Sequence, residues 1–246
     1  MCETNNGSDI TNKRDLENLH ANISKTLPPI GGVTHAAMVL EDTPIREMSF
    51  DSLMKVIKPK VEGAINLHEL FLNANLDFFV MFSSTTGVTG NVGQANYTTA
   101  NEFLASLTVQ RKQAGLAASL INIGPILGVG YLNRKVSQAS RDDLLRYGGY
   151  KYLSERDFHL LFAEAVLAGR PGSNQDPELT TGLRHVSTND AYKPLWLGNP
   201  KFGHLVTHHV AATTEANVGK SKAPSAKSRL LNSKTSVEAR QIIQGK

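Results

Sequence analysis

Residues 76–84 have the sequence LDFFVMFSS. The nearly continuous apolar run over Leu76–Phe82 is typical of a strand that is buried on both faces, as the strands of parallel sheets are. The run ends in two polar residues, Ser83 and Ser84. We therefore predict a central parallel strand whose carboxyl end presents hydroxyl groups.

The segments on either side of this strand alternate short apolar runs with helical periodicity, which is the pattern of a mostly parallel α/β sheet. Because a proline interrupts a helix interior but fits its first position, Pro59 is predicted to begin a new helix. The predicted fold class is α/β, a Rossmann-like doubly wound parallel sheet. The further predicted strands are Gly31–Ala37, Ala118–Ile123 and Leu179–Val186, and the predicted helices are Phe50–Ile57, Pro59–Leu72, Asn96–Gln113 and Glu155–Ala168.

Positive charge is concentrated near the carboxyl end of the chain. The chain has 246 residues and a formal net charge of +4, and residues 211–246 contain seven Lys or Arg and two Glu, a net charge of +5. Residues 1–210 therefore carry −1, with no basic stripe of the kind that binds nucleic acid. We predict that residues 211–246 form a disordered linker and that the chain has no nucleic-acid partner.

The composition also restricts the compartment and the metal chemistry. Cys2 is the one cysteine, so no intrachain disulfide is possible, which favours a reducing environment. No run of 18 apolar residues and no secretory leader pattern is visible, so we predict a cytoplasmic protein without a membrane span. The eight histidines show no metal-ligand spacing, so no metal site is predicted.

Four polar side chains are placed where they could meet at one reacting group. Ser84 lies at the carboxyl end of the predicted central strand, where open α/β sheets bind ligands. Tyr97 and Asn101 lie one turn apart on the next predicted helix and share a face of it. Lys60 lies in the first turn of the predicted helix Pro59–Leu72. A phenol, a hydroxyl, an ammonium and an amide could converge on one carbonyl, although each residue taken alone could equally be packing or surface.

At these residues the sequence resembles a known family, the ketoreductase domain of polyketide synthases, within the short-chain dehydrogenase/reductase superfamily. The resemblance is greatest to the fungal highly reducing synthases and covers about residues 8–205. The matching stretches are PPIGGVTHAAMVLED at 28–42, IKPKVEGAINLHEL at 57–70, LDFFVMFSSTTGVTGNVGQANYTTANEFL at 76–104, INIGPILGVGYL at 121–132 and PKFGHL at 200–205.

The resemblance implies a reaction and a role for each of the four side chains. NADPH would reduce a β-ketoacyl thioester, carried by an acyl carrier protein within the rest of a polyketide synthase, to a β-hydroxyacyl thioester. Tyr97 would be the general acid and Ser84 would donate a hydrogen bond to the same carbonyl oxygen. Lys60 would stabilise the tyrosinate, and Asn101 occupies the place four residues after the tyrosine where related enzymes have their lysine.

Further positions are assigned by the same resemblance. Leu40-Glu41-Asp42 stands where members that give one hydroxyl configuration have Leu-Asp-Asp, so Asp42 is assigned to stereochemistry. The tryptophan that marks the opposite class is replaced by Thr89. The implied cofactor contacts are Gly124, Pro125 and Ile126 against the nicotinamide, His35, Ala36 and Ala37 beside the ribose, and Asp9 near the adenine.

One part of a dinucleotide site is missing from the sequence. No G-x-G-x-x-G turn occurs, although such a turn lets the backbone approach the pyrophosphate. We therefore expect an amino-terminally truncated domain, with a strand end and helix at 1–27, the catalytic part at 28–210, and a linker with the start of a carrier-protein region at 211–246. A second hypothesis is that the chain is a non-catalytic remnant or interaction module that cannot bind NADPH alone.

Overall fold

The structure is a computed structural model that describes residues 7–128 and 136–208. The predicted linker at 211–246 lies outside the described residues. The segment 127–155 is polar and punctuated by glycines, a pattern that predicts a mobile flap with one short amphipathic helix. Residues 129–135 of this segment lie outside the described residues, and a helix is present at Gln138–Gly148. In the described part, no helix is long and apolar enough to cross a membrane.

Four parallel strands form the main sheet, in the order β1-β2-β3-β4. Their register places Val33 opposite Phe79, Phe82 opposite Ile121, and Ile121 opposite Leu179. This confirms the predicted parallel α/β sheet, with β2 as an interior strand and β1 at an edge of the described sheet. The strands are β1 (Gly32–His35), β2 (Phe78–Ser84), β3 (Ser119–Ile123) and β4 (Glu178–Thr180).

Helices cover both faces of this sheet, as both-sided burial of β2 requires. On one face, helices α2 and α4 pack against each other over a core that includes Phe79, Met81 and Leu104. On the other face, α6 packs against Val80 and Ile121. The helices are α1 (Lys13–Thr26), α2 (Phe50–Leu70), α3 (Thr85–Thr89), α4 (Ala95–Gln113), α5 (Gln138–Gly148) and α6 (Glu155–Ala168).

The prediction of two helices separated at Pro59 was wrong, because α2 is one helix from Phe50 to Leu70 with Pro59 inside it. Proline at this position leaves the carbonyl of Lys55 without its intrahelical donor. Lys55 lies on the exposed side of the helix, where water can satisfy that carbonyl. Burial of the opposite face against the sheet and α4 keeps the helix continuous, so Lys60 lies in its middle rather than in a first turn.

The last predicted strand was also wrong in its extent. The segment 179–186 divides at a turn into β4 and a separate strand β5 (Val186–Ser187), which pairs with β6 (Val206–Thr207). Gly182 lies in this turn with a φ of 79°. A Cβ atom on Gly182 would be 2.6 Å from the Cα atom of Gly124, so the turn passes directly over the end of β3.

A buried arginine joins the carboxyl end of α4 to its neighbours. Arg111 is 1% exposed, and its guanidinium lies 3.9 Å from the centre of the Phe79 ring. Its Nε donates to the carbonyl of Ala117 at 3.0 Å, and Nη1 lies 2.9 Å from Nδ1 of His68. Because the guanidinium only donates, His68 accepts through an unprotonated nitrogen. Arg111 therefore connects α4 with β2, α2 and the turn before β3.

Candidate active site

Helix α4 places Tyr97 and Asn101 on its buried face, as their spacing of four residues predicted. Their exposed fractions are 6% and 1%. Leu104 continues the same face into the core, so the apolar packing of α4 fixes the direction in which both polar side chains point. The first two turns of α4 therefore carry a phenol and an amide at the carboxyl edge of the sheet.

Lys60 reaches the same place from α2. Its side chain is 2% exposed, its Nζ donates to the carbonyl of Phe82 at 2.8 Å, and Nζ lies 5.3 Å from the centre of the Tyr97 ring. Burial lowers the pKa of the Lys60 ammonium to about 8. The structure therefore brings the predicted lysine and tyrosine together. A cation at this distance stabilises negative charge on the phenol.

Ser84 is the last residue of β2 and the N-cap of α3. Its Oγ accepts hydrogen bonds from the backbone N–H of Thr86 at 3.2 Å and from the Thr86 hydroxyl at 3.0 Å. A serine hydroxyl has two acceptor sites and one proton. With both acceptor sites used in this way, the proton of Ser84 is left to be donated, which suits a residue that binds a carbonyl oxygen.

The side chain of Asn101 is buried near the Tyr97 hydroxyl but outside hydrogen-bonding geometry. Within the described residues, neither its Oδ1 nor its Nδ2 has a partner. A buried amide without partners costs free energy, and in native proteins such groups are usually satisfied by a ligand or a water molecule. Burial raises the pKa of the neighbouring Tyr97, and Asn101 and Ser84 act on that pKa in the opposite direction. Tyr97 is therefore protonated at neutral pH.

Met38 is a contact of Tyr97 that the sequence did not predict. The Tyr97 hydroxyl donates to Sδ of Met38 at 3.4 Å, and Met38 itself is 39% exposed. Thioether sulfur is a weak acceptor, so a carbonyl oxygen can replace it at low cost. The sequence feature that could have indicated this contact is the position of Met38, which directly follows His35-Ala36-Ala37 just beyond the end of β1.

The loop that carries Asp42 is tied to the start of α4. Nε2 of Gln94 donates to both carboxylate oxygens of Asp42, at 3.0 and 3.1 Å, and Nδ2 of Asn96 donates to the carbonyl of Glu41 at 3.0 Å. The backbone N–H of Thr43 donates to the carbonyl of Gly93 at 2.8 Å. These bonds hold Asp42 against Gln94, which lies three residues before Tyr97 at the start of α4. The role of Asp42 in stereochemistry stays a prediction.

A family model described as the KR domain matches residues 5–128, which include all four of these polar side chains. The chain belongs to the ketoreductase domain family. Hybrid PKS-NRPS synthetase poxE of Penicillium oxalicum is 46% identical over 239 residues, 96% of this chain. Polyketide synthase-nonribosomal peptide synthetase TwmB of Talaromyces wortmannii is 46% identical over 238 residues. The chain spans 6% of the first relative and 8% of the second.

Solved ketoreductase structures share the fold. PlmKR1, the ketoreductase from the first module of phoslactomycin biosynthesis in Streptomyces sp. HK803, is 28% identical with a TM-score of 0.62, over 70% of this chain and 38% of that chain. An A-type ketoreductase from a modular polyketide synthase is 30% identical with a TM-score of 0.61, over 72% of this chain and 35% of that chain. The Rossmann-like sheet is therefore that of a polyketide synthase ketoreductase.

The residues assigned to the cofactor lie at and after the end of β1, after β3 and in the turn before α1. Ala36 and Ala37 directly follow β1, and Gly124, Pro125 and Ile126 directly follow β3, so both groups lie at the carboxyl edge of the sheet with Ser84. The His35 ring is buried inside that edge.

Asp9 lies in the turn before α1. Its carboxylate accepts hydrogen bonds from the backbone and hydroxyl of Thr11, both at 2.9 Å. Its contact with adenine stays a prediction, as do the other cofactor contacts. Residues 7–12 contain no strand. Among residues 7–128 and 136–208, no group of three or more His, Cys, Asp or Glu could hold a metal ion.

Proposed function

We propose that this domain reduces a β-ketoacyl thioester, carried by an acyl carrier protein of a polyketide synthase, to a β-hydroxyacyl thioester with NADPH. The observation that carries the proposal is the buried Lys60 ammonium, 5.3 Å from the ring of Tyr97 at the edge where Ser84 ends β2. The relatives named above as polyketide synthase hybrids support the carrier-bound substrate and the wider assembly as partners.

The side chains divide the reaction among them. Ser84 donates a hydrogen bond to the carbonyl oxygen and so orients the substrate. Tyr97, protonated because burial raises its pKa, gives its hydroxyl proton to that oxygen. The Lys60 ammonium stabilises the tyrosinate that remains. The carbonyl gains one proton from Tyr97 and one hydride, which makes it a secondary alcohol.

The residues at the carboxyl edge fit the nicotinamide end of a dinucleotide. The amide of Asn101 is buried there without a partner, and Ala36 and Ala37 supply small residues past which a flat ring could lie. When bound, NADPH supplies the hydride. The 246 residues contain no G-x-G-x-x-G turn, so no residues of this chain are assigned to the pyrophosphate.

The absence of that turn from the sequence keeps the second hypothesis in place, a non-catalytic module. NADPH fluorescence titration of the purified chain separates the two. We expect saturable binding that is tighter for NADPH than for NADH, and no saturable binding would favour the module.

The acid is tested with Tyr97→Phe, assayed on a β-ketoacyl N-acetylcysteamine thioester. Turnover should fall at least about 100-fold, because acid catalysis typically contributes that much or more. Binding of NADPH should be retained. Phe removes one hydroxyl and keeps the buried ring, so unchanged turnover would refute the assigned role. Tyr152→Phe, on the segment between α5 and α6, is the matched control and should retain activity.

A further inference from the structure

His35, on β1, contacts the backbone of Lys60, on α2. It is the last residue of β1, its ring is 1% exposed, and its Nε2 lies 2.8 Å from the carbonyl oxygen of Lys60. Because a carbonyl oxygen only accepts, Nε2 carries the proton and donates it. The sequence resemblance assigns this residue to the ribose, whereas the buried hydrogen bond points towards α2.

The His35 ring is a neutral, single donor. Burial lowers its pKa to about 4, and the nearby Lys60 charge acts in the same direction. Its Nδ1 is unprotonated in this tautomer and has no partner among the described residues. The titratable groups that face Lys60 are thus His35 from β1 and Tyr97 from α4, and both are neutral at neutral pH.

Lys60 is consequently held at both ends by adjacent strands. The ring of His35 on β1 holds its carbonyl, and the carbonyl of Phe82 on β2 accepts from its ammonium. His35 is in register with Met81, so the two contacts lie one residue apart along the sheet. Both bonds measure 2.8 Å; the bond from His35 is buried and the bond to Phe82 is partly buried. A hydrogen bond in such surroundings is stronger than in water.

We propose that His35 is a positioning residue: its Nε2–H fixes the backbone of Lys60 so that the ammonium stays buried between Phe82 and the ring of Tyr97. The inference rests on the proposed function for its consequence, since the position of the ammonium decides how well the tyrosinate is stabilised. Pro59 makes the support necessary, because the helix has lost a backbone hydrogen bond one residue before Lys60.

The test measures the ionisation of Lys60 in the full chain, without substrate or cofactor, by ¹³C NMR of lysine labelled at Cε. The resonance is assigned by its loss in Lys60→Arg. We expect a midpoint near pH 8 in the unchanged chain. His35→Gln carries an amide N–H at about the reach of Nε2 and should retain that midpoint. His35→Asn is too short, and should raise the midpoint by about one unit or more towards the ordinary lysine value as the ammonium becomes hydrated.

His159→Asn, on the exposed side of α6, is the matched control and should leave the Lys60 midpoint unchanged. A folded His35→Asn chain with the midpoint of the unchanged chain would overturn the proposal, as would a raised midpoint in folded His35→Gln. If His35→Asn does not fold, ¹⁵N shifts of the unchanged chain decide instead: a proton on Nε2 of His35 at neutral pH supports the proposal, and a proton on Nδ1 overturns it. None of these outcomes depends on NADPH binding or turnover, which test the reaction separately.

Discussion

The chemistry of single residues is set here by burial more than by charge. Lys60 has a pKa of about 8 because its ammonium is desolvated, so it loses its proton close to physiological pH. Neutral Lys60 no longer stabilises a tyrosinate. We therefore expect reduction by the NADPH-loaded domain to fall as the pH rises through about 8.

The pH dependence of kcat over the neutral to alkaline range measures this effect. Lys60→Arg is the comparison, because a guanidinium stays charged throughout that range. Whatever its absolute rate, the Arg variant should lack the alkaline decline near pH 8. The same decline in both proteins would assign it to another group.

The buried Lys60 should also lower the free energy of unfolding. A buried lysine whose pKa falls from 10.5 to about 8 destabilises the folded state at pH 7. Lys60→Met keeps the length of the side chain and removes the charge, so we expect the free energy of unfolding at pH 7 to increase by about 1–3 kcal/mol. Urea unfolding measures it. Lys58→Met, on the exposed side of the same helix, should change the value by no more than about 0.5 kcal/mol.

Part of the candidate site could be predicted residue by residue from the sequence. The four-residue spacing predicted the shared face of Tyr97 and Asn101, and the end of an apolar run placed Ser84. Lys60 was a candidate from its place near a helix start, but its role could be assigned only through family resemblance, because its contact with Tyr97 depends on how α2 packs on α4. The contact of Met38 with Tyr97 is tertiary as well, and no periodicity reports it.

At the scale of elements, Arg111 is the side chain that joins the largest number of separate pieces described above. Arg111→Met removes donors from the buried carbonyl of Ala117 and from the partly buried Nδ1 of His68, and leaves both acceptors without this partner. We expect a loss of about 2–4 kcal/mol in the free energy of unfolding. Gln110→Met, exposed on the same helix, should lie within about 0.5 kcal/mol of the unchanged chain in the same denaturation experiment.

The sequence located most elements within a few residues, and two of the differences have clear physical causes. Proline in α2 is tolerated because the carbonyl it frees, that of Lys55, can face water while the opposite side of the helix is buried. The apolar residues of 179–186 suggested one strand, but the turn at Gly182 packs against Gly124 and ends the pairing with β3 early. Both outcomes were decided by tertiary contacts that local propensity does not contain.

For the whole molecule, one buried and one partly buried histidine make the free energy of unfolding depend on pH in the acid range. The pKa values of His35 and His68 are both lowered by burial, so the unfolded chain binds more protons than the folded chain below their ordinary pKa. The contribution of these two histidines to stability is therefore complete above about pH 6.5 and decreases as the pH falls. His35 alone, with a folded pKa of about 4, should account for a loss of about 3 kcal/mol between pH 6.5 and 4.

Thermal unfolding at pH 7 and pH 4.5 measures this linkage. His35→Gln removes the titrating group and keeps a donor to Lys60, so the fall in Tm between the two pH values should be smaller in this variant than in the unchanged chain. An equal fall in both proteins would show that other groups, such as His68, control the acid sensitivity.

The contact between Gly124 and Gly182 has a consequence for how the molecule can change over generations. A Cβ on either glycine would lie 2.6 Å from the other's Cα, so neither site accepts a side chain while the other backbone stays in place. The loop after β3 and the loop after β4 therefore constrain each other at this contact. Exchange of one loop for a related sequence that brings a side chain to the glycine position should yield a misfolded domain, whereas an exchange that keeps glycine there should yield a folded one.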